Sequence, residues 1–278
     1  MTLFQKSLGT ALCLLSFFGP LAAQSPNYGN NPEAGHTLSL NGIELYFEVY
    51  GKGEPLFLLH GNGGSIASSA WKIEHFQEQY QVIVVDSRAH GNSTDDTSVP
   101  LTYRQMAEDI AVLMDRLELD SANIWGQSDG GILGLLLAIE HPEKVRRLAT
   151  FGANIYPGKQ AVFDEIDDWV TDSLTHLEPG HTQRLFGLMA YQPDISVTEL
   201  QQIRCPVLIM TGDRDAIRLE HSLQIFYAIP QSNLFVMPGG THGGSWQKPD
   251  LFNQVLGDFL AQPFSNLSTV EMIQQSAH

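Results

Sequence analysis

Ala122-Asn123-Ile124-Trp125-Gly126-Gln127-Ser128-Asp129-Gly130-Gly131 is the stretch that decides the fold. An apolar, strand-like run from Ala122 to Trp125 passes through a tight turn into a helix-like stretch from Gly131 to Glu140. The turn spells Gly-x-Ser-x-Gly. A serine on such a turn is held in a strained backbone conformation and projects clear of the sheet. Glycines two before and two after it let neighbouring chain segments pass closely.

Outward from this turn, strands and helices alternate. Thr37 to Leu40 and Glu44 to Tyr50 flank Asn41-Gly42, whose residues both tolerate positive φ, so they read as a hairpin. Strands are expected over Pro55 to Leu59, Gln81 to Val85, Arg147 to Phe151, Pro206 to Met210 and Asn233 to Met237. Helices are expected over Ala67 to Gln79, Thr102 to Glu118 and Phe252 to Leu260. Thr102 can cap the second of these, which places Met106, Ile110, Leu113 and Leu117 on one face. The helix after Ser128 is apolar nearly all round and should be buried. Short apolar strands separated by helices imply a mostly parallel, eight-stranded α/β sheet covered on both faces, begun by two antiparallel strands. Residues 154–202 carry helical patterns without a strand and read as a small helical lid inserted between the sixth and seventh strands.

The chain has 278 residues, 43% of them hydrophobic and 17% charged, which is a globular composition. Its formal net charge of -16 repels phosphate backbones and anionic lipid heads, which argues against a nucleic-acid partner. Lys6 is the only charge before Glu33, Leu8 to Phe18 is apolar, and Leu21-Ala22-Ala23 offers small residues before Gln24. That pattern is expected of a secretory signal over residues 1–23, cleaved after Ala23, and a periplasmic or secreted protein. The apolar run is short for a membrane span. Residues 24–35 read as a linker, residues 36–262 as the domain and residues 263–278 as a loose tail. Of the two cysteines, Cys205 precedes a buried-strand pattern and reads as a packed, inert thiol.

The element order, the position of the turn and three further motifs resemble the α/β-hydrolase family over residues 36–262. The spelling Gly126-Gln127-Ser128-Asp129-Gly130-Gly131 is similar to small esterases, and to amino-acid-ester hydrolases related to the meta-cleavage product hydrolases. In that family a serine nucleophile is followed by an acid and then a histidine. The resemblance implies an acid after the seventh strand, where Thr211-Gly212-Asp213-Arg214-Asp215 stands. The family's Gly-x-x-Asp spacing selects Asp215, with Asp213 as the alternative. It implies a base after the eighth strand, where Pro238-Gly239-Gly240-Thr241-His242-Gly243 supplies His242. The strand ending in His60-Gly61-Asn62-Gly63-Gly64 matches the family's oxyanion loop, so the main-chain N–H groups of Asn62 and Asp129 are the implied oxyanion donors. His60 is expected to brace that loop. Asp86-Ser87-Arg88-Ala89-His90-Gly91-Asn92-Ser93 resembles a structural loop of the family, with Ala89 in place of its first glycine.

These residues imply a serine hydrolase that acts on a small-molecule ester through an acyl-enzyme and needs no cofactor. Amide or N-terminal peptide hydrolysis and carbon–carbon bond hydrolysis use the same machinery, and a non-catalytic binding protein could keep the fold. Serine at the turn argues against the dehalogenase and epoxide hydrolase branches, whose nucleophile is aspartate. The carboxylate of Asp129 either attracts a substrate ammonium or is bound by neighbouring donors. The acidic run Asp164, Glu165, Asp167, Asp168, Asp172 and Glu178 reads as a solvated helix face. Phe163, Trp169, Phe186, Met189 and Tyr191 pack the lid or, facing a pocket, favour apolar substrates. No metal-ligand spacing, Walker loop or dinucleotide fingerprint is apparent.

Overall fold

The computed structural model describes residues 26–276, so the expected signal segment lies outside the described residues. The strands are β1 (Gly35–Leu40), β2 (Ile43–Tyr50), β3 (Glu54–Leu59), β4 (Tyr80–Val85), β5 (Ala122–Gln127), β6 (Val145–Phe151), β7 (Val207–Arg214) and β8 (Ser232–Thr241). They form one eight-stranded sheet in the order β1-β2-β4-β3-β5-β6-β7-β8. β1 pairs with β2, and β2 with β4, antiparallel; every pairing from β4 through β8 is parallel. The eight strands and the antiparallel start are those the sequence predicts. Asn41 and Gly42 close the first hairpin at φ 45° and 78°, as a two-residue turn with both residues left-handed requires.

The helices are α1 (Ala70–Phe76), α2 (Tyr103–Arg116), α3 (Asp129–Glu140), α4 (Asp164–His176), α5 (His181–Tyr191), α6 (Val197–Leu200), α7 (Leu219–Ala228), α8 (Gly244–Gln247), α9 (Pro249–Ala261) and α10 (Thr269–Ser276). Both sheet faces are covered, which is why the central strands read as unbroken apolar runs. Phe57 and Leu59 of β3 join α2, α3 and α7 in one core. Leu56 and Leu58 of the same strand join Ile73, Phe76, Phe252, Leu256 and Leu260, from α1 and α9, in the other. α3 is buried along almost its whole length. The Thr102 hydroxyl accepts from the Gln105 N–H at 3.2 Å and caps α2.

The structure differs from the sequence expectations in four places. Residues 26–34 are not a free linker: the Glu48 carboxylate, wholly buried, accepts from the N–H groups of Gly29 and Asn31 at 3.0 and 2.9 Å. Tyr28 packs edge-on against Tyr50 with ring centroids 5.3 Å apart. α7 is absent from the sequence reading because its buried stripe includes His221 and Ser222, which breaks the apolar period. β7 and β8 run four residues past their expected ends, to Arg214 and Thr241. The Gly239-Gly240 pair therefore belongs to a strand with a register shift rather than to a flexible loop. A Cβ on Gly212 would stand 2.0 Å from the Gly240 carbonyl oxygen, so the two strand ends approach at glycine distance. Residues 269–276 of the expected loose tail are helical, with no buried residue.

Candidate active site

Ser128 sits between β5 and α3 with φ 52° and ψ -116°, a conformation that side-chain-bearing residues avoid. Three hydrogen bonds hold it. Its N–H donates to the Phe151 carbonyl at 2.8 Å, and its own carbonyl accepts from Gly131 and Ile132 at 2.8 and 3.1 Å. The glycines around it are sterically required. A Cβ on Gly126 would lie 2.1 Å from the Gly130 carbonyl oxygen, and one on Gly130 would lie 2.2 Å from that of Leu59. Gly61 brings the loop after β3 against the turn, where an added Cβ would stand 3.1 Å from Ser128 Cβ.

Asp215 directly follows β7 and His242 directly follows β8. His242 Nδ1 lies 2.7 Å from Asp215 Oδ1. The carboxylate also accepts from the Ile217 N–H, the Thr211 hydroxyl and the Gly212 N–H at 3.1, 3.2 and 3.3 Å. Burial works against the charge on Asp215, but the His242 hydrogen bond and charge, aided by the two amides, hold its carboxyl below the usual range. Burial likewise works against the His242 imidazolium, yet Asp215 outweighs it and raises the ring above 6.5. Asp213 points elsewhere: it is exposed and accepts from the Gly239 N–H at 2.7 Å. The structure thus pairs His242 with Asp215 and not with Asp213.

Several positioning residues are ones to which the motifs assign no role. The Gln127 amide donates to the His242 carbonyl at 2.8 Å and accepts from the buried Ser245 hydroxyl at 3.1 Å, which fixes the loop that carries the histidine. Gly152, at φ +64°, leaves room for the imidazole: a Cβ there would stand 2.8 Å from His242 Cε1 and Nδ1. His221 of α7 accepts from the Ile155 N–H at 3.0 Å and ties down the chain leaving β6. Burial lowers this imidazole to about 4, in keeping with a neutral acceptor.

The main-chain N–H groups of Asn62 and Asp129 meet no acceptor among the described residues. The Asn62 side chain bridges three elements, donating to Asp129 Oδ2 at 3.0 Å and to the Leu185 carbonyl of α5 at 3.2 Å. Asp129 is buried, and burial raises its carboxyl despite Asn62 and Tyr103 beside it. Its carboxyl is therefore held by neighbouring donors. His60 braces its loop as expected. Its Nε2 accepts from the Ser87 N–H at 3.1 Å, and burial, then the nearby His90, lowers it to about 3. His90 accepts from the Gly63 N–H at 3.1 Å. Ala89 takes φ 63°, the left-handed conformation that glycine adopts at least cost.

Two cavities meet at Ser128 and His242. One, of about 260 Å³, runs under α4 past Tyr103, Asp129, Ile166 and Val170. The other, of about 560 Å³, lies between the loop after β3 and α5, lined by Asn62, Lys72, Trp125, Phe186 and Trp246. Trp169 and Met189 border both. Trp169 stands edge-on to Phe186 with centroids 5.2 Å apart. Tyr191 is 72% exposed and borders neither cavity. Arg218 pairs with Asp164 at 2.7 Å and stacks over Phe163 at 4.7 Å, while Lys159 pairs with Asp168 at 2.6 Å. Part of the acidic run thus serves to hold α4 in place.

The family model described as the alpha/beta hydrolase fold matches residues 54–178. With that match, the sheet order and the turn at Ser128, the chain has the alpha/beta hydrolase fold and is a hydrolase. It is 27% identical over 258 residues to the putative carbamate hydrolase RutD of Caulobacter sp. (strain K31), covering 78% of this chain and 96% of that protein. It is 26% identical over 247 residues to the human serine hydrolase BPHL, covering 80% of this chain and 85% of that one. Among solved structures, the enol-lactonase from Burkholderia xenovorans LB400 superposes with a TM-score of 0.69 at 20% identity, over 82% of this chain and 100% of that chain.

Proposed function

We propose that the protein is a serine hydrolase that cleaves a small carboxylic ester through an acyl-enzyme. One observation carries this reading. Ser128, strained at φ 52°, stands where the two cavities meet, and His242, hydrogen-bonded at 2.7 Å to Asp215, lines both. His242 takes the Ser128 proton as the hydroxyl oxygen attacks the ester carbonyl. Asp215 holds the imidazole tautomer and stabilises the imidazolium. The Asn62 and Asp129 amides stabilise the tetrahedral oxyanion, each by about 3–4 kcal/mol. His242 then protonates the leaving alcohol. A water deprotonated by the same ring releases the acid and frees Ser128.

The Ser128 hydroxyl makes no hydrogen bond with a described residue, and such catalytic contacts often tighten only when substrate binds. The relatives named as a putative carbamate hydrolase and a serine hydrolase support acyl transfer as the common chemistry. The apolar walls contributed by Trp169, Phe186 and Met189 support an acyl or alcohol part with a hydrophobic surface. Export through a signal over residues 1–23 belongs to the same proposal, and the mass of the mature protein tests it.

Hydrolysis of p-nitrophenyl acetate and butyrate tests the reaction. Ser128→Ala is expected to lower kcat by about 10⁴ or more while the protein stays folded. Unchanged turnover in that variant contradicts the assignment. An amidase or carbon–carbon hydrolase would instead leave the esters poor substrates beside aminoacyl amides or dienoates.

A further inference from the structure

Lys72, on α1, is 2% exposed and makes no hydrogen bond or ion pair with a described residue. Its Nζ lies 4.3 Å from the ring centroids of both Trp71 and Trp125 and 5.9 Å from that of Phe252. Three aromatic faces stabilise a cation in such a box but leave its net charge unmatched. The Nε1 donors of Trp71 and Trp125 are themselves buried without a partner among the described residues. One turn earlier stands Ser69, 1% exposed, whose hydroxyl also makes no hydrogen bond with a described residue. At i and i+3 these two side chains share a helix face. Both line the 560 Å³ cavity that also reaches Ser128, Asn62 and His242.

A buried ammonium without a counter-charge is costly, and desolvation disfavours it: burial lowers Lys72 to about 7. Its close neighbours are the Trp71, Trp125 and Phe252 rings, none of which carries an acceptor oxygen. The missing element is an acceptor with negative charge, and Lys72 lines the cavity that leads to the serine.

We propose that the Lys72 ammonium and the Ser69 hydroxyl form a subsite for a carboxylate carried by the substrate, bound in the larger cavity while its ester carbonyl reaches Ser128. The preferred substrate class is then an ester whose apolar chain ends in a free carboxylate, such as the monoester of a dicarboxylic acid. The ester half of this inference rests on the serine-hydrolase reading above, whereas the anion subsite does not. The aromatic walls around Trp169, Phe186 and Trp246 suit the chain between the two ends.

Two measurements test it separately. The first is calorimetry on intact Ser128→Ala protein at about pH 6, where Lys72 is protonated and adipate is largely ionised, with adipamide as the uncharged counterpart. Adipate is expected to bind at least about tenfold more tightly than adipamide. That ratio should collapse in the added Lys72→Met variant and shrink in Ser69→Ala, which serves should Lys72→Met fail to fold. Equal binding of the two compounds, or a ratio that survives both substitutions, overturns the subsite and leaves Lys72 as a cation held only by its aromatic box. The second is the ratio of kcat/KM for mono-p-nitrophenyl adipate over p-nitrophenyl hexanoate in the Ser128 protein. It should favour the carboxylate ester by about tenfold and fall to near unity in Lys72→Met. Hydrolysis of neither ester, with adipate binding intact, would refute the ester reading alone. Hydrolysis of both without preference would refute the subsite alone.

Discussion

Ser128 holds a backbone conformation that costs about 1–3 kcal/mol, and the surrounding contacts keep it there. Its N–H is fixed to the end of β6, its carbonyl caps the first turn of α3, and two glycines admit the main chain on both sides. His242 owes its elevated basicity to Asp215, against the opposing effect of burial. The base must be neutral to take a proton, so kcat/KM is expected to rise as pH climbs through a value above 6.5. Asp215→Asn removes the charge that favours the imidazolium and leaves the burial that disfavours it. That variant should show a lower apparent pKa in its pH–rate profile and a loss of about 10³–10⁴ in kcat. A profile and rate matching the parent would mean that Asp215 does not act on His242. The acid illustrates what local spelling can carry. Asp213 and Asp215 stand two residues apart, and only the length of β7 turns one toward the histidine and the other toward Gly239. Gln127 and Gly152 were invisible for the same reason. Gln127 meets His242 across 115 residues of sequence, and no local pattern encodes such a meeting.

Among the elements, the hairpin at Asn41, the loop after β4 and α2 are joined by a buried ion pair. Arg88 donates to both carboxylate oxygens of Asp109 at 2.7 Å and to the Asn41 carbonyl at 3.0 Å. The Asn41 amide donates to the same aspartate at 2.9 Å. Both charged side chains are about 1% exposed, so neither can be left alone cheaply. Arg88→Met should destabilise the fold by about 3–5 kcal/mol in urea melts, and Arg88→Met with Asp109→Leu should recover much of that loss. A single variant as stable as the parent would show that the pair contributes nothing. At this scale the sequence is legible where one periodicity dominates. α2 and α3 announce themselves through their apolar stripe and their apolar girth. α7 does not, because His221 and Ser222 occupy its buried face for tertiary reasons, one of them to hold Ile155.

Across the whole molecule, the parallel sheet gathers at one edge what the chain spreads from Asn62 to His242. The loop after β3, the turn after β5 and the ends of β7 and β8 converge there, and α4 and α5 close over them. This convergence follows from strand order, and strand order from apolar runs and short connections, so the general location of the site was legible from sequence. The contents of the two cavities were not. Lys72 lies on an amphipathic helix where a lysine ordinarily faces water, and only the packing of Trp71, Trp125 and Phe252 around it shows that it is enclosed. The anchoring of residues 26–34 was likewise hidden, because Glu48 on β2 reads as a solvent-facing strand residue until the turn folds over it.

The central claim is that Ser128, activated by His242, forms a covalent acyl-type intermediate. Intact-protein and peptide mass spectrometry after exposure to a fluorophosphonate probe tests it most directly. One adduct per chain is expected, on the peptide bearing Ser128, absent in Ser128→Ala and strongly slowed in His242→Ala. An unlabelled folded protein, or an adduct that persists in Ser128→Ala, would contradict it.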